Sequence, residues 1–208
     1  MAQMNAPVPS EFLSRSAVID WDDPAVLAKA KELASGSGDE METARNCYLF
    51  VRDEILHSAD HRMNPVTLSA SDVLRHGTGF CFAKSHLLAA LLRANGIPAG
   101  MCYQRLRYEK AESGFCLHGL NAVYLEGHGW YRADARGNKS SVHADFDPPT
   151  EKLAFRMRHP GEADLPGIFS RPLPCVVKVL TESSDHEEVL KNIPDIEVAK
   201  IVDGKFCL

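Results

Sequence analysis

The sequence predicts one α+β domain, with helices in its first half and strands in its second. Three observations predict it. Apolar residues recur at helical spacing in segments between residues 24 and 94. Between 99 and 133 the texture changes to strand-like runs broken by a hairpin signal. The chain has 208 residues, enough for one self-sufficient core and little more. Helices followed by strands in a chain of this length give the segregated α+β arrangement.

Each element has a local reason. Residues 1–20 are polar, contain prolines and lack a period, and are expected to form an arm or a loosely packed lead-in. Asp23-Pro24 opens a first helix, with Asp23 as N-cap and Pro24 at the first helical position. Val26, Leu27, Ala30, Leu33 and Ala34 form its apolar face, and Ser35-Gly-Ser-Gly38 stops it. Asp39 and Glu42 make an Asp version of the capping box for a second helix, predicted from Glu40 to His57. Ser69 and Asp72 repeat that pattern for a short helix ending near Gly77. Gly77-Thr-Gly-Phe80 is a tight turn. The run Phe82 to Ala94 is rich in strong helix formers, and Asn95-Gly96 with Pro98 stops it. Ala99 to Tyr108 reads as a strand. Leu117 to Glu126 and Trp130 to Ala133 flank Gly127-His-Gly129 as a hairpin. Residues 135–175 are irregular. Cys175 to Leu180 reads as a strand, Ser184 to Asn192 as a short helix and Ile196 to Val202 as a last strand.

Composition excludes several functions. Lys and Arg number 23 against 28 Asp and Glu, a net charge of −5, so no broad basic surface for nucleic acid is expected. With 45% hydrophobic and 25% charged residues the chain is not of disordered type. No apolar stretch approaches the roughly 18 residues of a membrane span, and residues 1–10 lack a basic and then apolar leader. A cytoplasmic location without membrane or nucleic-acid partners is the expectation. Six cysteines (Cys47, Cys81, Cys102, Cys116, Cys175 and Cys207) contain no Cys-x-x-Cys, so reduced thiols are expected.

Cys81 differs from the other five. It lies between a glycine-containing turn and the first turn of a helix, where the helix N-terminus stabilises thiolate. The uncommitted N–H groups of that turn point at any oxyanion formed nearby. A catalytic thiol needs a base, and the base an orienting acceptor. His118 opens one strand of the hairpin and Asp134 closes the other, which places them at one end of a sheet. His118 as a structural histidine is the bland alternative. A zinc site from Cys81, Cys116 and His118 is the chemical rival, without the close ligand pairs zinc sites usually show. Arg132 and Arg136 bracket Asp134, to pair with it, with a substrate carboxylate or with other surface charges.

Gly79-Phe-Cys81-Phe-Ala-Lys-Ser-His-Leu-Leu-Ala-Ala-Leu-Leu-Arg93-Ala-Asn-Gly96-Ile-Pro98-Ala resembles the nucleophile helix of the transglutaminase-like superfamily. There a Gly-x-Cys turn opens a helix closed by Arg-x-x-Gly-Ile-Pro-Ala, and a His and a Gly-Trp…Asp strand follow in that order. The resemblance covers about residues 40–138. It implies a papain-like α+β fold, a nucleophile helix packed on an antiparallel sheet, and Cys81, His118 and Asp134 as nucleophile, base and orienting residue. Two positions depart from the family pattern. His118-Gly-Leu stands where the family often has His-Ala-Trp, and Asp134-Ala-Arg where it often has Asp-Pro-Thr. Phe80 stands where some members carry a Gln that donates to the oxyanion, leaving Gln104 or His76 as candidate second donors.

The resulting expectation is a cysteine-dependent amide hydrolase acting on a peptide, protein or small amide through a thioester. No cofactor or metal is expected. Acyl transfer to an amine and a non-catalytic peptide-binding scaffold are the alternatives.

Overall fold

The structure, a computed structural model, describes residues 9–197 and the backbone of Ile201–Val202 and Lys205–Phe206. From Pro9 onward this stretch is a packed lead-in. Phe12, in a 3-10 turn over Ser10–Leu13, meets the Trp130 ring edge-on at 4.8 Å, and Ile19 is fully buried. Residues 1–8 lie outside the described residues.

Asp23 caps helix α1 (Pro24–Ala34) by accepting the Ala25 and Val26 N–H groups. Asp39 caps α2 (Glu40–Glu54) through the Glu42 N–H at 2.8 Å, while the Glu42 carboxylate reaches back to the Gly38 N–H at 2.7 Å. α2 stops three residues short of the expected His57. Leu56–His57 (β1) instead pairs in parallel with Thr78–Gly79 (β2), so an inter-strand ladder takes the backbone away from the helix. Between them lie α3 (Ser58–His61) and α4 (Ala70–His76), the latter capped by Ser69 and closed by Gly77 at φ +63°.

Helix α5 (Cys81–Ala94) has every residue from Cys81 to Arg93 buried, the pattern of a helix enclosed on all sides. α1, α2 and α4 contact it, as does the sheet. Its two buried cations are satisfied by backbone carbonyls. Arg93 donates to Ala99, Ser14 and Ser170, and Lys84 to Arg52 and Ile55 at the end of α2.

The sheet is antiparallel, in the order β5 (Gly129–Ala133), β4 (Phe115–Leu125), β3 (Ala99–Arg107) and a late strand, Ala163–Asp164. The β3–β4 register sets Gln104 opposite His118, and the β4–β5 register sets Asn121 opposite Ala133. The irregular stretch contributes a small hairpin, Asp145–Asp147 with Thr150–Lys152.

One element is of the other type. The segment expected as a strand from Cys175 is a helix, Pro174–Glu182. Its β-branched run looks like a strand, but Pro174 sits at the first helical position. Val176, Val179 and Leu180 fall at helical spacing and are buried, so tertiary packing overrides propensity. A following helix, His186–Lys191, is capped by Asp185. The expected last strand is seen only at Ile201–Val202, paired with Lys205–Phe206; residues 198–200 lie outside the described residues.

Candidate active site

Cys81 is the first residue of α5, and no side chain caps that helix N-terminus, so the first-turn N–H groups are not taken by a cap. The thiol is 6% exposed at the floor of a cleft of about 760 Å³. β4 runs against it. The Gly119 N–H donates to Cys81 Sγ at 3.5 Å, and a Cβ at residue 119 would lie 2.7 Å from Phe82 Cδ1 and 3.2 Å from Phe82 Cα. The departure at Gly119 thus has a physical reason: only a residue without a side chain lets β4 approach the first turn this closely.

His118 and Asp134 come together as the hairpin suggests. Asp134 lies one residue past Ala133, hence opposite Leu120 if the register is continued, a diagonal neighbour of His118 on the same face. His118 Nε2 meets Asp134 Oδ2 at 2.8 Å, with both side chains buried. The Cys81 sulfur lies near enough to the same ring to favour its imidazolium form. With Nε2 engaged by Asp134, the nitrogen left for the thiol is Nδ1. Burial pulls the His118 imidazolium down, but the Asp134 carboxylate and the Cys81 sulfur outweigh it and raise it to about 10. Burial works against the Asp134 carboxylate too. The charge and hydrogen bond of His118 and the N–H groups of Ala154 and Arg136, at 3.1 and 3.2 Å, nevertheless hold it below its ordinary value. Tyr48 donates its hydroxyl to the Asp134 carbonyl at 3.1 Å, tying the strand end to α2.

The other described cysteines have different surroundings. Burial pushes Cys47, Cys102 and Cys116 up to about 12 and Cys175 upward, and no disulfide joins the described cysteines. Cys207 lies outside the described residues. Among the described residues no group of three or more His, Cys, Asp or Glu is arranged to hold a metal ion.

Several expectations about neighbours change. Arg136 pairs not with the Asp134 carboxylate but with Asp60, at 2.7 and 3.1 Å, giving Asp134 only its backbone N–H. Arg132 is held by Glu151 and Asp164. Neither expected second donor reaches the cleft: His76 is exposed at the end of α4, and Gln104 Nε2 is bonded to Asp164 at 3.0 Å. His86 is fully buried with Nδ1 against the Leu68 carbonyl.

Sequence reasoning passed over one residue that lines the cleft and one buried cation a helical turn from the thiol. His57 lines the cleft, stands edge-on to the Phe80 ring at 5.8 Å and pairs in register with Gly79, two residues before the thiol. It is 7% exposed, and neither ring nitrogen has a hydrogen-bond partner among the described residues. Its Nδ1 is 3.7 Å from Asp60, too far for a hydrogen bond. Burial first, and the Arg136 charge next, hold it well below the ordinary histidine value, so its ring is neutral. Lys84 lies one turn along α5 from Cys81, and burial brings its ammonium down to about 7. A Lys one turn after Cys81 in an otherwise apolar helix was the signal for the second. His57 carried none, because it fell at the expected end of a helix.

The family model of the transglutaminase-like superfamily matches residues 28–135, just over half of the chain and all of the Cys81–His118–Asp134 set. This chain belongs to the transglutaminase-like superfamily. Solved structures similar to this transglutaminase-like chain include a "putative cysteine protease" from Cytophaga hutchinsonii, 21% identical with a TM-score of 0.47 over 60% of this chain and 40% of that one. The periplasmic domain of TgpA from Pseudomonas aeruginosa is 20% identical, with a TM-score of 0.45 over 60% of this chain and 45% of that one. This transglutaminase-like chain therefore spans less than half the length of either. No curated protein matches it. No helix among its described residues is long and apolar enough to cross a membrane.

Proposed function

We propose that the chain is a cysteine-dependent amide hydrolase with Cys81 as nucleophile, His118 as acid and base, and Asp134 as the residue that orients His118. The observation that carries this reading is a thiol at an uncapped helix N-terminus, beside a histidine whose Nε2 a buried carboxylate holds at 2.8 Å. The Cys81 sulfur forms a bond to the amide carbonyl carbon, and negative charge gathers on the carbonyl oxygen near the Cys81 N–H. His118 gives its proton to the leaving nitrogen as the C–N bond breaks, leaving a thioester. Water then loses a proton to His118 as its oxygen bonds the acyl carbon, and the C–S bond breaks to return Cys81. In this reading the neutral His57 ring serves as second donor to the oxyanion, because it lines the cleft with no other bond to make. No step calls for a cofactor. Reduced thiols suit a cytoplasmic enzyme acting on peptides or other amides.

Intact-mass spectrometry on a peptide library is the test. An acyl adduct on Cys81, absent from Cys81→Ala, is expected to decay to carboxylic acid in water. Conversion to an amide when a primary amine is added would favour acyl transfer. Peptide binding without any adduct would make the chain a scaffold.

A further inference from the structure

We infer that the cleft takes an acidic segment of its substrate, with Arg156 and Arg158 receiving the carboxylates; this rests on the reading of Cys81 as nucleophile. The chain carries a net charge of −5, yet six Lys and Arg side chains against three acidic ones line this cleft. The three carboxylates already have partners. Asp60 is taken by Arg136 and by Lys139 at 2.7 Å, and Glu109 by Arg107 at 3.2 Å. Glu162 is spent on backbone, its Oε1 accepting the Arg107 N–H and its Oε2 the N–H groups of Arg158 and His159 at 2.7 and 2.9 Å. Lys110, Arg156 and Arg158 are left with no ion pair among the described residues.

The two arginines are placed by the triad itself. Ala154 donates its N–H to Asp134 Oδ2, and the Phe155 ring stands edge-on to His118 at 4.9 Å. Successive Cα atoms are about 3.8 Å apart, so Arg156 begins within about 8 Å of the backbone that holds the catalytic carboxylate. Arg158 follows two residues later on the same rim, held there by Glu162. A planar guanidinium with free N–H groups matches a carboxylate in two-point geometry. A substrate with Asp or Glu beside the scissile amide would supply the partners these groups lack.

Two haloacetyl probes of nearly equal size, anionic iodoacetate and neutral iodoacetamide, read the charge at the thiol without any substrate. The ratio of their rates at Cys81 is expected to fall about fivefold in Arg156→Glu/Arg158→Glu at low ionic strength. It should fall less in Arg156→Gln/Arg158→Gln, and the difference should close at high salt. A ratio that moves less than about twofold in both variants overturns the inference. In a second arm, peptides with Glu or with Lys flanking one amide are offered to each protein. The wild type should acylate from the Glu peptide, and the Glu variant should reverse the preference; equal use of both peptides also overturns the inference. If neither peptide acylates Cys81, the hydrolase reading fails, whereas the probe ratio still decides the charge question.

Discussion

Gly119→Ala tests whether the close approach of β4 to α5 is what assembles the site. The added Cβ would lie 2.7 Å from Phe82 Cδ1, about 0.7 Å inside ordinary contact, and 3.2 Å from Phe82 Cα, about 0.2 Å inside it. The Phe82 ring is 1% exposed and packed against Tyr103, so it has little room to swing aside. The Cα cannot move without α5. β4 must therefore retreat by a few tenths of an ångström, at about 1–3 kcal/mol for overpacking. For a chain of this size that lowers Tm by about 3–10 °C. The retreat lengthens the Gly119 N–H contact to Cys81 Sγ, already 3.5 Å, and shifts His118 one residue away. Alkylation of Cys81 by iodoacetamide, followed by mass spectrometry, should slow about tenfold. Phe82→Leu in the same chain should return part of both losses, a coupling of at least about 0.5 kcal/mol. A Gly119→Ala protein with unchanged Tm and unchanged alkylation would refute the reasoning, because no close approach would then exist to disturb.

Two other outcomes follow from the same geometry. In Asp134→Asn the burial of His118 is opposed only by the Cys81 sulfur, so its NMR titration midpoint should fall well below about 10, and turnover by at least about 100-fold. His118, raised in the folded chain, contributes stability that is full below 6.5 and lost as pH rises through about 10. Asp134, lowered, contributes above 3.8 and loses that contribution as pH falls through its folded value. Denaturant unfolding should therefore separate wild type from Asp134→Asn most between about pH 4 and 6.5. His57→Ala should lower turnover by about 100-fold while leaving iodoacetamide alkylation of Cys81 unchanged, since alkylation passes through no oxyanion. Equal losses in both would reduce His57 to a structural residue.

The sequence made α5 and the hairpin legible because their signals are local: a glycine-containing turn, a run of strong helix formers, a two-glycine turn between strands. The same locality brought Cys81 and Asp134 into view at a helix start and a strand end, whereas His118, expected at a strand start, lies three residues inside β4. His57 was hidden because its place depends on β1 pairing with β2, a contact between residues that local periodicity does not relate. The helix at Pro174–Glu182 was misread for a related reason, its β-branched residues being chosen for burial rather than for backbone preference. The Ala154–Arg158 rim was illegible because an irregular segment is ordered here by its bond to Asp134 and its ring against His118, not by any pattern of its own.

The most direct test of the central claim, that Cys81 is the nucleophile and that the His118–Asp134 pair activates it, is the pH profile of alkylation resolved by cysteine. Native protein would be treated with limiting iodoacetamide between pH 5 and 9, and each thiol followed by peptide mass spectrometry. The account predicts that Cys81 reacts first and already below pH 7, with that advantage lost in His118→Ala. Cys81 reacting no faster than Cys47, Cys102, Cys116 and Cys175, or equally fast without His118, would contradict it.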